Sequence, residues 1–284
     1  MTAAKMQNLT VCSEKCGESA LAVFVTAGKT VAVTAGEPTA SKENGQIKKI
    51  GTINIILLVD GNLADSCMVE AIKTLTEAKT VAMRELDIRS QFSGDIATGT
   101  LTDSVAVGCT KKGDVIQYAG TFTPLGELIG KCVRNAVKTA MYKQEKLASN
   151  RPLTERLAER GITPEIIMSL LSEDKTKIES SKAKQLRIQL ERILSDRKIA
   201  SIVIASLRLD DDLSKGLIPA ETIESIDQAS FEEIIQTALK GRLFEDKYPA
   251  VATENIKTDG ETHLGPFTRA LLQAVLRKAC SNII

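Results

Sequence analysis

From Ile53 to Val59 every position except Asn54 is apolar, and isoleucine and valine dominate the run. An apolar run this short predicts a strand covered on both faces rather than a helix. Asp60 ends it. Beyond Gly61 and Asn62 the period changes, with Met68, Ile72, Leu75, Ala82 and Leu86 recurring at helical spacing. That pattern predicts one long helix, with Asp65 as its N-terminal cap. Upstream, Leu21 to Ala27 and Thr30 to Thr34 read as two strands joined at Gly28 and Lys29, a hairpin, followed by a polar and mobile connection to Gly51. Downstream come a glycine- and threonine-rich loop from Ser93 to Thr102, strands over Ser104–Gly108 and Val115–Ala119, and a helix from Gly126 to Tyr142. Leu128, Ile129, Val133 and Val137 mark the apolar side of that helix. The order predicts an α/β domain, a mixed sheet packed by helices, with a right-handed crossover if the strands at Ile53 and Val107 are parallel neighbours.

Past Lys146 helical periodicity takes over, and the break falls in the polar stretch holding Asn150 and Pro152. We therefore divide the chain into 1–148, α/β, and 149–284, an all-α helical domain. Gly161 before Pro164 and Gly216 before Pro219 read as helix stops. The nearly continuous apolar run Ile199 to Leu209 predicts a central buried helix. No internal repeat or low-complexity tract is visible.

Charge removes whole classes of partner. With 37 basic against 36 acidic residues, no tryptophan and 3% aromatics, the chain offers neither a polyanion-binding surface nor base-stacking platforms. Nucleic acid is thereby excluded as a partner. No apolar run approaches the ~20 residues of a membrane span, and no signal peptide opens the chain, so the expectation is a cytoplasmic protein without a membrane partner. Self-association is left open. The six cysteines include a single C-x3-C pair, Cys12 and Cys16, which is no zinc signature. Cys109, closing an apolar run, is the expected buried thiol.

Candidate chemistry gathers at turns. Ligands of open α/β sheets meet the carboxyl ends of strands, which singles out Asp60 as a base or metal ligand and Asn62 as a binding residue. Capping is the competing role for Asp60. Glu70 and Glu77, seven apart, fall on nearly one helical face; Lys73 and Glu77 also make an ordinary i,i+4 pair, and Glu70 reads as solvated. The loop residues Thr98, Gly99, Thr100, Thr102 and Asp103 suit close backbone approach to a ligand, or equally a simple turn. Thr121 and Thr123 precede a helix carrying Glu127, where they either present hydroxyls or cap it. The single histidine, His263, lies in the second domain, so a Ser-His-Asp arrangement cannot form in the first.

Three stretches in order, Gly51 to Leu86, Ser93 to Cys109 and Tyr118 to Val137, resemble the adenosylcobinamide amidohydrolase family of cobamide salvage, over about residues 1–145. The resemblance implies cleavage of the amide joining the aminopropanol arm to the corrin ring, with a corrinoid small molecule as partner. It favours Glu77, inside the family-like TEAKT segment, as a general acid or base. Asp60, Asp103 and Thr121 complete the implied catalytic set, and Asn62, Thr98, Gly99, Thr100, Thr102, Thr123 and Glu127 the substrate contacts. Members carry further sequence ahead of an MTAA-like segment, which here opens the chain, so an upstream lobe is expected to be missing. Where the family reads GTHTKLG this chain reads GTFTPLG, with Phe122 and Pro124. A non-catalytic corrinoid-binding protein is the resulting alternative.

The stretch LRLDDDLSKGLIP and the HLGPF segment before an apolar helix resemble the phosphatidylglycerophosphatase A superfamily, in the branch holding α-ribazole-phosphate phosphatase domains. That likeness, over about residues 151–284, implies magnesium held by Asp210, Glu232, Glu233, Glu254 and Asp259. Asp211 and Asp212 stand beside the first of these. Arg269 and Ala270 replace an acidic pair usual after LGPF, which points to a diverged phosphatase; a bifunctional amidohydrolase and phosphatase is the other reading.

Overall fold

The structure, a computed structural model, describes residues 4–16, 19–37, 51–170, 180–219 and 264–281. It divides into two compact units, Met1–Arg151 and Pro152–Ile284. Most of the polar connection before Gly51 lies outside the described residues, as do Glu232, Glu233, Glu254, Asp259 and His263.

In the first unit a four-stranded mixed sheet has the order β1 (Thr10–Cys16), β2 (Ser19–Gly28), β4 (Thr52–Asp60) and β7 (Ser104–Cys109). β1 and β2 are antiparallel, as are β2 and β4, whereas β4 and β7 are parallel neighbours. The expected hairpin is displaced: β2 turns back on β1, and β3 (Ala32–Val33) pairs instead with β6 (Gly99–Thr100). Val31, at φ 56, breaks the extended run that the composition of Thr30 to Thr34 suggested. The strand expected over Val115 to Ala119 shortens to β8 (Val115–Ile116), parallel to β5 (Asn62–Leu63).

Between β4 and β7 runs α1 (Asp65–Glu85), and α2 (Pro124–Glu145) packs beside it. Asp65 is the first helical residue of α1 rather than its cap; Ala64 occupies the cap position without a side-chain bond. Ile72 is 39% exposed and stands off the buried stripe, which runs through Cys67, Ala71, Thr74, Leu75, Ala78, Lys79, Ala82 and Met83. The two helices meet the sheet face that carries Leu21, Val23, Val25, Ile53, Ile55, Leu57 and Val59, all buried. At about 1.5–3 kcal/mol for each large aliphatic side chain removed from water, this layer is the main stabilising element of the unit. On the other face of β4 the alternate residues Ile56 and Leu58 are about half exposed, contrary to the both-face expectation.

Among the described thiols Cys67 and Cys132 are buried, while Cys109 is only half buried because β7 closes the edge of the sheet. Burial pushes the Cys132 thiol up to about 12, with the Cys12 thiol beside it adding to the shift.

The second unit contains α3 (Leu153–Glu159), α4 (Pro164–Ser169), α5 (Ser180–Leu194), α6 (Arg197–Ser214) and α7 (Pro266–Ser281). All of its described elements are helical. Gly161 (φ 76) and Gly216 (φ 66) take the left-handed conformation at the expected stops. α6 is amphipathic rather than wholly buried: Ile199, Val203 and Leu207 enter the core while Leu209 is 42% exposed.

Candidate active site

One residue, Ala119, is gripped by α1 at both its backbone groups. Its N–H donates to Glu70 Oε2 (2.7 Å), and its carbonyl accepts from the Thr74 hydroxyl (2.7 Å). Glu70 is therefore a loop anchor and not the solvated side chain its spacing suggested. Glycines let the loop pack this tightly. A Cβ on Gly120 would sit 3.0 Å from Glu70 Oε1, and one on Gly126 only 1.8 Å from the Gly120 carbonyl. Thr123 closes the turn, its Oγ1 accepting from Gly126 N–H (3.0 Å) and donating to the Gly120 carbonyl (2.9 Å), so capping is the role that its geometry displays.

Between α1 and α2, beside this loop, opens a cleft of about 570 Å³ whose lining includes Glu77, Thr121, Glu127, Lys131, Arg134 and Asn135. Three of the sequence-derived candidates, Glu77, Thr121 and Glu127, are thus brought to one place. The carboxylates of Glu77 and Glu127 make no ion pair or hydrogen bond with another described residue. The cations are already engaged: Lys131 with Glu14 (3.2 Å), and Arg134 with Glu85, which also holds Lys138 (2.7 Å). Those contacts, Lys138 first, hold the Glu85 carboxyl below its usual range. The exposed rings of Tyr118 and Phe122 flank Thr121 on the same loop.

Asp103 lies apart, among a full set of donors: Ile53 N–H (3.0 Å), Thr100 N–H (3.2 Å), the Thr100 hydroxyl (2.6 Å) and Lys79 Nζ (2.5 Å). The Lys79 and Asp103 side chains are 10% and 13% exposed. A Cβ on Gly99 would fall 2.4 Å from Asp103 Oδ2, so glycine is what admits the carboxylate. The other loop candidates are spent on backbone. Thr98 Oγ1 accepts from Ala35 N–H (2.9 Å), Gly99 and Thr100 pair with β3, and the Thr102 hydroxyl donates to the Gly51 carbonyl (3.1 Å). Asp60 is at the opposite end of β4, accepting from the Thr110 hydroxyl (2.8 Å), and Asn62 donates to the Gly113 carbonyl (3.4 Å). From Ile53 to Asp60 the strand rises about 23 Å, so Asp60 and Asp103 do not share one site.

Lys79 is the residue that sequence reasoning missed. Its signal was present: four residues from Leu75 and three from Ala82, it is a charge placed on the apolar stripe.

The magnesium implied for the second unit finds a poor donor in Asp210. Its Oδ1 accepts from Phe267 N–H (3.0 Å) and its Oδ2 from Thr268 N–H (2.8 Å), so the carboxylate closes the start of α7. Burial raises its pKa. Asp211 is paired with Arg160 at 3.1 Å. Among the described residues no group of three or more His, Cys, Asp or Glu gathers as a metal site.

Two carboxylates without a partner among the described residues, a hydroxyl and an amide thus line one cleft of a histidine-free α/β unit. The chain belongs to the adenosylcobinamide amidohydrolase family, whose sequence profile matches residues 1–149. An uncharacterized protein of Methanocaldococcus jannaschii is 39% identical over 51% of this chain and 63% of its own length. The adenosylcobinamide amidohydrolases of Methanosarcina mazei and Halobacterium salinarum are 34% and 26% identical, over 39% and 41% of this chain and 56% and 46% of their own lengths. The chain thus spans roughly half to just under two thirds of these relatives. No solved structure matches it. No described helix is long and apolar enough to cross a membrane.

Proposed function

We propose that the chain hydrolyses the amide joining the aminopropanol arm of adenosylcobinamide to the corrin, and that the cleft between α1 and α2 is where it does so. The observation that carries this reading is the convergence of unpaired Glu77 and Glu127 with Thr121 and Asn135 in one cleft inside the family-matched segment. Glu77 takes a proton from water as the oxygen attacks the amide carbon, then passes it to the leaving nitrogen as the C–N bond breaks. The Thr121 hydroxyl and the Asn135 amide donate to the carbonyl oxygen as it gains charge. Tyr118 and Phe122 offer apolar faces to the macrocycle at the rim. Appearance of adenosylcobyric acid and free aminopropanol from adenosylcobinamide tests the proposal. Tight corrinoid binding without product would instead establish the non-catalytic reading, which Phe122 in place of the family's histidine favours.

For the second unit the proposal is a diverged phosphatidylglycerophosphatase A-like domain with little or no magnesium-dependent hydrolysis. The commitment of Asp210 to the α7 amides and of Asp211 to Arg160 supports it. Robust release of phosphate from α-ribazole phosphate on adding magnesium would overturn that part and establish a bifunctional enzyme.

A further inference from the structure

The face of the four-stranded sheet turned away from α1 and α2 is apolar and solvent-facing at its centre, while at one end Thr26 and Thr52 are buried, the latter bonded to the Thr102 carbonyl. The strand register sets Val11, Phe24, Ile56 and Ala106 in one row across all four strands, and Ser13, Ala22, Leu58 and Gly108 in the next. Val11, Ile56 and Leu58 are 53%, 48% and 47% exposed. A one-sided sheet normally alternates apolar inward with polar outward, yet β4 has the composition of a strand covered on both faces. A contiguous apolar patch of this kind marks an interaction surface.

We infer that this face is a two-fold interface with a second copy of the chain, the two sheets packing face to face about an axis along β2. The charges identify the occupant. Lys15, Ala20 and Asp60 form the row at one end of the face, and neither Lys15 nor Asp60 has an ion-pair partner among the described residues. A two-fold axis lying along β2 between the sheets exchanges the flanking strands β1 and β4 while keeping the level along them. Lys15 then meets the partner's Asp60, and Asp60 the partner's Lys15. Val11 meets the partner's Ile56, and Phe24 meets the partner's Phe24. Aligned sheet packing of this sort is a common way to bury such faces, and an isologous contact closes on itself without leaving an edge to propagate.

Sedimentation equilibrium of the full chain over a range of micromolar concentrations tests the inference, with circular dichroism confirming that each variant is folded. The wild type sediments as a dimer. Ile56→Lys, which sets a cation against the partner's Val11, weakens association by at least about 100-fold. Lys15→Asp and Asp60→Lys each weaken it about tenfold or more, because two symmetric contacts become repulsive, and the two together restore it. A chain that is monomeric throughout, a dimer indifferent to Ile56→Lys, or a double charge swap that fails to recover association overturns the interface. If Ile56→Lys does not fold, the charge swap alone decides, since Lys15 and Asp60 are exposed.

Discussion

Replacing Asp103 by Asn separates two roles that a buried carboxylate beside a threonine loop could have. In the structure Asp103 accepts from two backbone amides, one hydroxyl and the Lys79 ammonium, tying together the start of β4, the loop after β6 and the middle of α1. Asparagine keeps one oxygen for Ile53 N–H and Thr100 Oγ1, but it turns an NH2 group toward Lys79. The ammonium, at a side-chain exposure of 10%, then loses its charge partner. Breaking a buried pair from one side costs about 3–5 kcal/mol. The oxygen that survives places the expected loss near the lower end, about 3 kcal/mol, or roughly 6–12 °C in the melting temperature of a unit this size. Urea unfolding followed by circular dichroism measures it. The partner variant Lys79→Met should be destabilised as well, and the double variant should lose about 1–3 kcal/mol less than the two single losses combined. An Asp103→Asn protein within about 0.5 kcal/mol of wild type that had nonetheless lost turnover would refute the structural assignment and return Asp103 to the catalytic set.

Three further outcomes follow from the geometry. Cys132, whose thiol burial pushes up and which sits beside the Cys12 thiol, should alkylate far more slowly at pH 8 in the native than in the unfolded protein; mass spectrometry showing equal labelling in the two would contradict this. Because Lys138 and Arg134 hold the Glu85 carboxyl below its unfolded value, the stability it contributes is present above the unfolded pKa and is lost as pH falls through the depressed folded one. Glu85→Gln should lose that part of the acid dependence, and an unchanged stability profile between pH 3 and 6, about the carboxylate range, would count against the link. Thr123→Ala removes the cap of α2 and should cost about 0.5–2 kcal/mol, whereas Thr123→Ser should recover most of it; equal stability of both would mean that the cap is idle.

Much of the architecture was legible because hydrophobic period survives in the packed state. The switch from continuous apolar residues at Ile53–Val59 to helical spacing after Asp65 appears as β4 and α1, and the parallel pairing of β4 with β7 follows the expected strand order. What escaped was set by tertiary contacts. Thr10 to Cys16 has few strong β-formers, and it is a strand because β2 templates it and Lys131 of α2 reaches Glu14. Glu70 looked like an ordinary surface acid, since nothing local reveals that the backbone of Ala119 arrives beside it. Among the site candidates, Glu77, Thr121 and Glu127 converge because they border the two helices that pack together. Asp60 ends one strand and Asp103 precedes another, so their separation hinged on those strands being parallel, which the pairing of β4 with β7 shows.

Comparing Glu77→Gln with the wild type in steady-state turnover of adenosylcobinamide, with corrinoid products separated by chromatography, is the most direct test of the central claim. The substitution keeps the shape of the cleft and removes the group that carries the proton. The account predicts that wild type releases adenosylcobyric acid and that kcat falls by about 100-fold or more in the variant while corrinoid affinity and folding are retained. Wild-type kcat in the Glu77→Gln protein, or no product from either protein despite binding, would contradict it.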